Sequence, residues 1–193
     1  MPQNVPFLTV FLSSPGDVGE ERALARNIMK RLPNRYVFKG RVGLNIVAWD
    51  DPDSTTAMEA TLTPQAAISK GLPMPSESDI VIVIFWSRMG TPFTDETDGK
   101  EYQSGTHWEL LDGLQSPNTK TYIYRRMQEP DFGSVDAPDY DDKVAQYRRV
   151  KKFLGSEMFY KDGQIKMSVH QYDTRAILKS CSSIILKKLS PIF

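Results

Sequence analysis

One carboxylate, Glu109, is the sharpest candidate for chemistry in this chain of 193 residues. It stands in the stretch Ser104-Gly105-Thr106-His107-Trp108-Glu109-Leu110, at the start of an expected helix. Two roles fit it. With Thr106 as N-cap, Glu109 falls three residues on and closes a capping box, which alone would account for the residue. A carboxylate carried to a small polar crevice can instead serve a catalytic role. The two roles compete for the same atoms, because a glutamate turned back to cap is not aimed at a ligand.

Other residues could hold a ligand beside it. Ser13, Ser14 and Gly16 precede an expected helix N-terminus, where free N–H groups can hold a phosphate, although the same residues also make ordinary turns. Arg88 can pair with a pyrophosphate or simply be solvated. Its neighbours Ser87, Gly90 and Thr91 share the small, polar turn. Ser104 stands before the helix of Glu109. Trp49 and Trp86 end their strands and could stack on a flat heterocycle, while Trp108 reads first as a core aromatic. Two histidines and one cysteine give no basis for a zinc site or a Cys–His nucleophile pair. Asp50, Asp51 and Asp53 read as a solvated turn, and Asp95-x-x-Asp98-Gly99 is too short for a calcium loop, so no metal is expected. The chain has neither Gly-x-Gly-x-x-Gly nor a Walker P-loop, leaving hydride transfer and ATP hydrolysis unsupported.

The element that must position these residues is the apolar run from Ile80 to Trp86. It is bounded by Ser78-Asp79 and Ser87, and it reads as a strand buried on both faces. Strands are also expected at 5–12, at 42–49 near an edge because of Gly43, and at 119–125. A short edge strand is expected at 165–170. Helices are expected after Asp17, which with Glu20 resembles a capping box, and at 63–70, 105–114, 141–154 and 172–189. In the first helix Val18, Ala25, Ile28, Met29 and Leu32 share a face, with Glu20, Arg22, Arg26 and Lys30 mostly elsewhere. Residues 91–103 read as a polar, lid-like loop, and 129–139 as the segment most prone to mobility. Alternating strands and helices imply right-handed crossovers and a parallel sheet. The simplest arrangement is a flavodoxin-like α/β three-layer sandwich of order 2-1-3-4-5. It sets the turns after strands one and three face to face across the switch-point crevice, where ligands bind in such sheets.

The totals fit one domain over residues 1–193. Lys plus Arg equals Asp plus Glu, at 24 each, which supports neither nucleic acid nor an anionic membrane as the main partner. One cysteine fits a reducing compartment. No apolar run approaches the ~20 residues that span a bilayer, and the first residues lack the pattern of a signal peptide. A cytoplasmic protein is expected.

Phe11-Leu12-Ser13-Ser14-Pro15-Gly16-Asp17-Val18 with Glu20-Glu21-Arg22 resembles the opening of the TIR-like family known as the domain of unknown function 4062. Arg88-Met89-Gly90-Thr91-Pro92 and Ser104-Gly105-Thr106-x-x-Glu109 resemble later blocks of the same pattern, so the likeness spans about residues 5 to 115. The resemblance implies the flavodoxin-like topology and, for many TIR domains, cleavage of NAD+ between nicotinamide and ribose. Glu109 matches the family's catalytic glutamate on the helix after the third strand. NAD+ would be substrate rather than cofactor. Residues 50–58 correspond to the BB loop, which in the family mediates self-association. The resemblance also implies a C-terminal NACHT or STAND sensor in a longer protein, and a role in immunity or antiphage defence through NAD+ depletion. Two alternatives stand beside this: a non-catalytic TIR-like interaction module, and a nucleoside deoxyribosyltransferase-like enzyme.

Overall fold

The computed structural model describes residues 5–35, 38–48, 73–95 and 97–173. Five strands form one parallel sheet: β1 (Phe7–Ser13), β2 (Gly43–Val47), β3 (Ile80–Phe85), β6 (Lys120–Arg126) and β9 (Val169–Tyr172). The order is β2-β1-β3-β6-β9. In chain order that is 2-1-3-4-5, the flavodoxin-like α/β arrangement. The switch point falls between β1 and β3, whose pairing runs from Val10↔Ile80 to Ser13↔Val83.

All six residues of β3 are buried, and they divide strictly by parity. Ile80, Ile82 and Ile84 pack with Val10, Leu12, Ala25 and Met29 on the face of α1 (Gly19–Arg31). Val81, Val83 and Phe85 pack with Phe11, Leu110, Val150 and Phe153 on the opposite face. That face is covered by α2 (Gly105–Gln115) and α3 (Tyr140–Leu154). A strand with apolar residues of both parities can be stable only between two covered faces, so its composition builds the three layers. The partly exposed β2 holds the edge position expected from Gly43.

Several expectations change. Asp17 caps no helix: α1 begins at Gly19, and its N-cap position, Val18, makes no side-chain cap bond. Residues 91–103 are not an open loop. Phe93–Thr94 (β4) and Glu101–Tyr102 (β5) pair antiparallel, with the Phe93 and Tyr102 rings stacked at 5.6 Å. Within 129–139, Phe132 is anchored against the rings of Tyr140 and Tyr147. Residues 164–165 pair with 160–161 in a small hairpin (β8 with β7), so the edge strand of the main sheet starts at Val169. Tyr172 belongs to that strand and not to a helix. The helix expected at 63–70, and the one expected at 172–189 beyond Asp173, lie outside the described residues.

Candidate functional site

Helix α2 begins two residues earlier than the Thr106 reading requires. Ser104 is the N-cap, its Oγ accepting the His107 N–H at 3.1 Å. Glu109 therefore lies five residues past the cap, in the second turn, and takes no part in a capping box. The side chain is free to point at the sheet instead. It is 3% exposed, and its Oε2 accepts a 2.5 Å hydrogen bond from Ser13 Oγ at the end of β1. Ser13 has the same parity as Phe11, and so faces α2 across the sheet. Burial pushes the Glu109 carboxyl up to about 7, while the Ser13 bond and the charge of Arg22 pull the other way.

Arg22 was expected on the polar side of α1, yet it is 3% exposed. Its Nη1 donates to Ser14 Oγ at 2.5 Å and to the Pro15 carbonyl at 2.6 Å, with a longer contact to the Ser14 carbonyl at 3.4 Å. A turn leaving a buried strand exposes acceptors that no ladder satisfies, and the guanidinium fork supplies donors. Ser13, Ser14, Arg22 and Glu109 thus form one buried polar cluster at the carboxyl end of β1. Ser14, expected to bind ligand, is occupied by this clamp. Gly16 is exposed, and a Cβ there would meet no atom within 4 Å, so no close approach requires glycine.

A second arrangement bridges the switch point. The Ser87 N–H (2.8 Å), Ser87 Oγ (3.0 Å) and Arg88 N–H (2.8 Å) all donate to Asp17 Oδ2, tying the exit of β3 to that of β1. Beside this tie lies a cleft of about 190 Å³ lined by Asp17, Trp86, Ser87, Arg88, Phe132 and Lys143 among others. Trp86, Ser87 and Arg88, consecutive in the chain, line this cleft. Glu109 is not among the lining residues. The guanidinium of Arg126 lies 3.9 Å over the Trp86 ring, and the Trp86 indole donates to the Gln128 carbonyl at 2.7 Å.

Gly90, Ser104 and Trp108 make structural contacts. Gly90 has φ +104°, and a Cβ there would come within 2.9 Å of Ser104 Cβ. Its N–H and that of Met89 donate to Gln146 Oε1 of α3, at 3.1 Å each, and its carbonyl accepts from Arg149. Trp108 is half-buried, and its indole donates to Asp95 at 2.8 Å, holding the β4–β5 hairpin against α2. Thr91 is exposed at the turn, outside both clusters. Trp49 and the 50–58 loop lie outside the described residues. Among the described residues no group of three or more His, Cys, Asp or Glu could hold a metal ion. None of their helices is long and apolar enough to cross a membrane.

The chain matches no family model and no curated protein. Among solved structures it is similar to oxidised flavodoxin 1 from Bacillus cereus, at 11% identity and a TM-score of 0.34, over 96% of this chain and 97% of that one.

Proposed function

We propose that this chain is a TIR-like NAD+ glycohydrolase with Glu109 as its catalytic carboxylate, acting in immune or antiphage defence and activated by self-association. One observation carries the reading: the helix after the third strand brings a buried carboxylate, pushed up to about 7, against the end of β1 at the switch point. The bond between nicotinamide and ribose C1′ breaks with its electron pair leaving on nicotinamide, which departs neutral. The oxocarbenium-like sugar gains from a nearby negative charge. The same carboxylate can accept hydrogen bonds from the ribose hydroxyls and orient the sugar. Water then adds at C1′ and loses a proton, giving ADP-ribose. The ionised form is the useful one, and a carboxyl titrating at about 7 is divided between both forms at neutral pH. Trp86, Ser87 and Arg88 line a cleft at the exit of β3 and are proposed to hold the remainder of the dinucleotide.

A second reading, the non-catalytic interaction module, is favoured by a specific observation: Glu109 is only 3% exposed and already bonded to Ser13. In the enzymatic reading the crevice must open for substrate, and assembly is the proposed trigger. Purified protein at high concentration, incubated with NAD+, separates the two. Release of nicotinamide by wild type and its loss in Glu109→Gln supports the enzyme. No release at any concentration, or equal release by the Gln variant, refutes it and leaves the interaction module.

A further inference from the structure

Ser13 closes β1 with its hydroxyl wholly enclosed, at 0% exposure. It was expected to face a phosphate, but its one proton goes to Glu109 Oε2 at 2.5 Å. The bond joins the end of β1 to α2, so the orientation of the Glu109 side chain depends on where the backbone holds Ser13. The residues immediately after Ser13 are fixed by Arg22, which grips Ser14 Oγ and the Pro15 carbonyl from α1. One chain of contacts thus runs from α1, through the turn after β1, to the carboxylate on α2.

We propose that Ser13 is a positioning residue for Glu109, and that Arg22 sets Ser13 in place through its clamp on Ser14 and Pro15. The proposal rests on the reading of Glu109 as the reacting carboxylate. Ser13 does not meet the reacting atoms. It acts by restraining the Glu109 side chain to one orientation and by donating to its ionised form, which favours that form. Of the elements packed around this carboxylate, β1 contributes the uncharged Ser13, and α1 contributes Arg22, whose positive charge acts in the same sense. Burial opposes both. Without the serine proton the carboxylate would face its desolvation with less help and would hold its own proton to higher pH. Fewer molecules would then be ionised at neutral pH.

Ser13→Ala tests this through two measurements. The first is the infrared band of the protonated Glu109 carboxyl, followed against pH and assigned by its disappearance in Glu109→Gln. In wild type the band should fade around pH 7; in Ser13→Ala it should persist about one pH unit higher, a ~10-fold change in the ionisation constant. The second is NAD+ cleavage at high protein concentration. The acid limb of kcat/KM should move upward by the same amount, with the plateau at high pH retained. A serine of purely structural importance would lower activity equally at every pH and leave the band unmoved, which overturns the proposal. Ser13→Cys, with a weaker donor, should fall between the two and serves if the alanine variant does not fold. Arg22→Lys keeps the charge but loses the fork, and it should displace the band in the same direction. The infrared measurement does not depend on turnover. An unmoved band with normal cleavage overturns the positioning role alone. A displaced band in a chain that never cleaves NAD+ keeps the Ser13–Glu109 coupling and overturns the reading of Glu109 as the reacting group.

Discussion

Glu109→Gln should make this protein more stable, and only where the carboxyl of the wild type would be ionised. The folded protein holds that proton to about pH 7, whereas the ordinary value is 4.5. An acid whose folded-state value lies above its unfolded one favours folding most at low pH. That contribution is lost as pH rises from about 4.5 through about 7, and it changes no further above that. At ~1.4 kcal/mol per pH unit, the gap corresponds to about 3 kcal/mol of stability given up between pH 4.5 and pH 8. Glutamine has nearly the same shape, stays neutral throughout, and its amide oxygen can still accept the Ser13 proton. Urea unfolding of both proteins at pH 5, 6, 7 and 8 is the assay. The two should agree within about 1 kcal/mol at pH 5, with the variant ahead by about 3 kcal/mol at pH 8. For a chain of this length that is roughly 6–12 °C in melting temperature. Parallel stability profiles across the range, or a Gln variant less stable at pH 8, would show that Glu109 is ionised at little cost and refute the electrostatic argument for the site.

Two further substitutions probe the frame around the site. Gly90→Ala combines a positive φ with a Cβ placed 2.9 Å from Ser104 Cβ. It should cost about 2–3 kcal/mol in urea unfolding, and on the proposed reading NAD+ cleavage should fall with it because Ser104 caps the helix that carries Glu109. Arg126→Ala removes the 2.6 Å partner of Glu21, whose side chain is 7% exposed, and the cation over Trp86. A loss of about 3–5 kcal/mol is expected for stranding a buried carboxylate. The double variant with Glu21→Gln should recover much of that loss, and recovery of none would mean the pair is not what stabilises the contact.

The sheet was legible because its strongest signal is unambiguous. Six consecutive buried residues in β3 can be satisfied only by a central strand, and alternation with helices then limits the topology. The start of α2 at Gly105 was legible, but its cap was not, because the sequence offers competing ones. Ser104 and Thr106 are both acceptable N-caps, and the choice of Ser104 goes with a contact 14 residues away in sequence, the close approach of Gly90. Asp17 likewise satisfies a local capping rule, yet it spends its carboxylate on donors 70 and 71 residues distant. Arg22 was placed off the apolar face because helical periodicity counts every arginine as polar. Its burial follows from the acceptors of the turn after β1, which become visible only once the turn is folded against α1. The β4–β5 hairpin was missed because two-residue strands carry no period; Phe93 and Tyr102 were the available clue.

The two carboxylates at the switch point are treated differently by the fold, and the difference bears on function. Asp17 keeps partial exposure and takes three donors on Oδ2, tying two turns together, while its Oδ1 is buried without a hydrogen-bond partner among the described residues. Glu109 is more deeply buried, yet its donor among the described residues is the single hydroxyl of Ser13. A carboxylate retained only for packing would be better replaced by glutamine or an apolar side chain, since its ionisation works against folding across the neutral range. Groups that cost stability in this way concentrate where a reactive form has to be kept available. On the proposed reading, an enzyme that stabilises a cationic sugar has a use for this charge. If Glu109→Gln gains stability at pH 8 and loses NAD+ cleavage in the same preparation, the two effects share one cause: a carboxylate the fold tolerates for its charge.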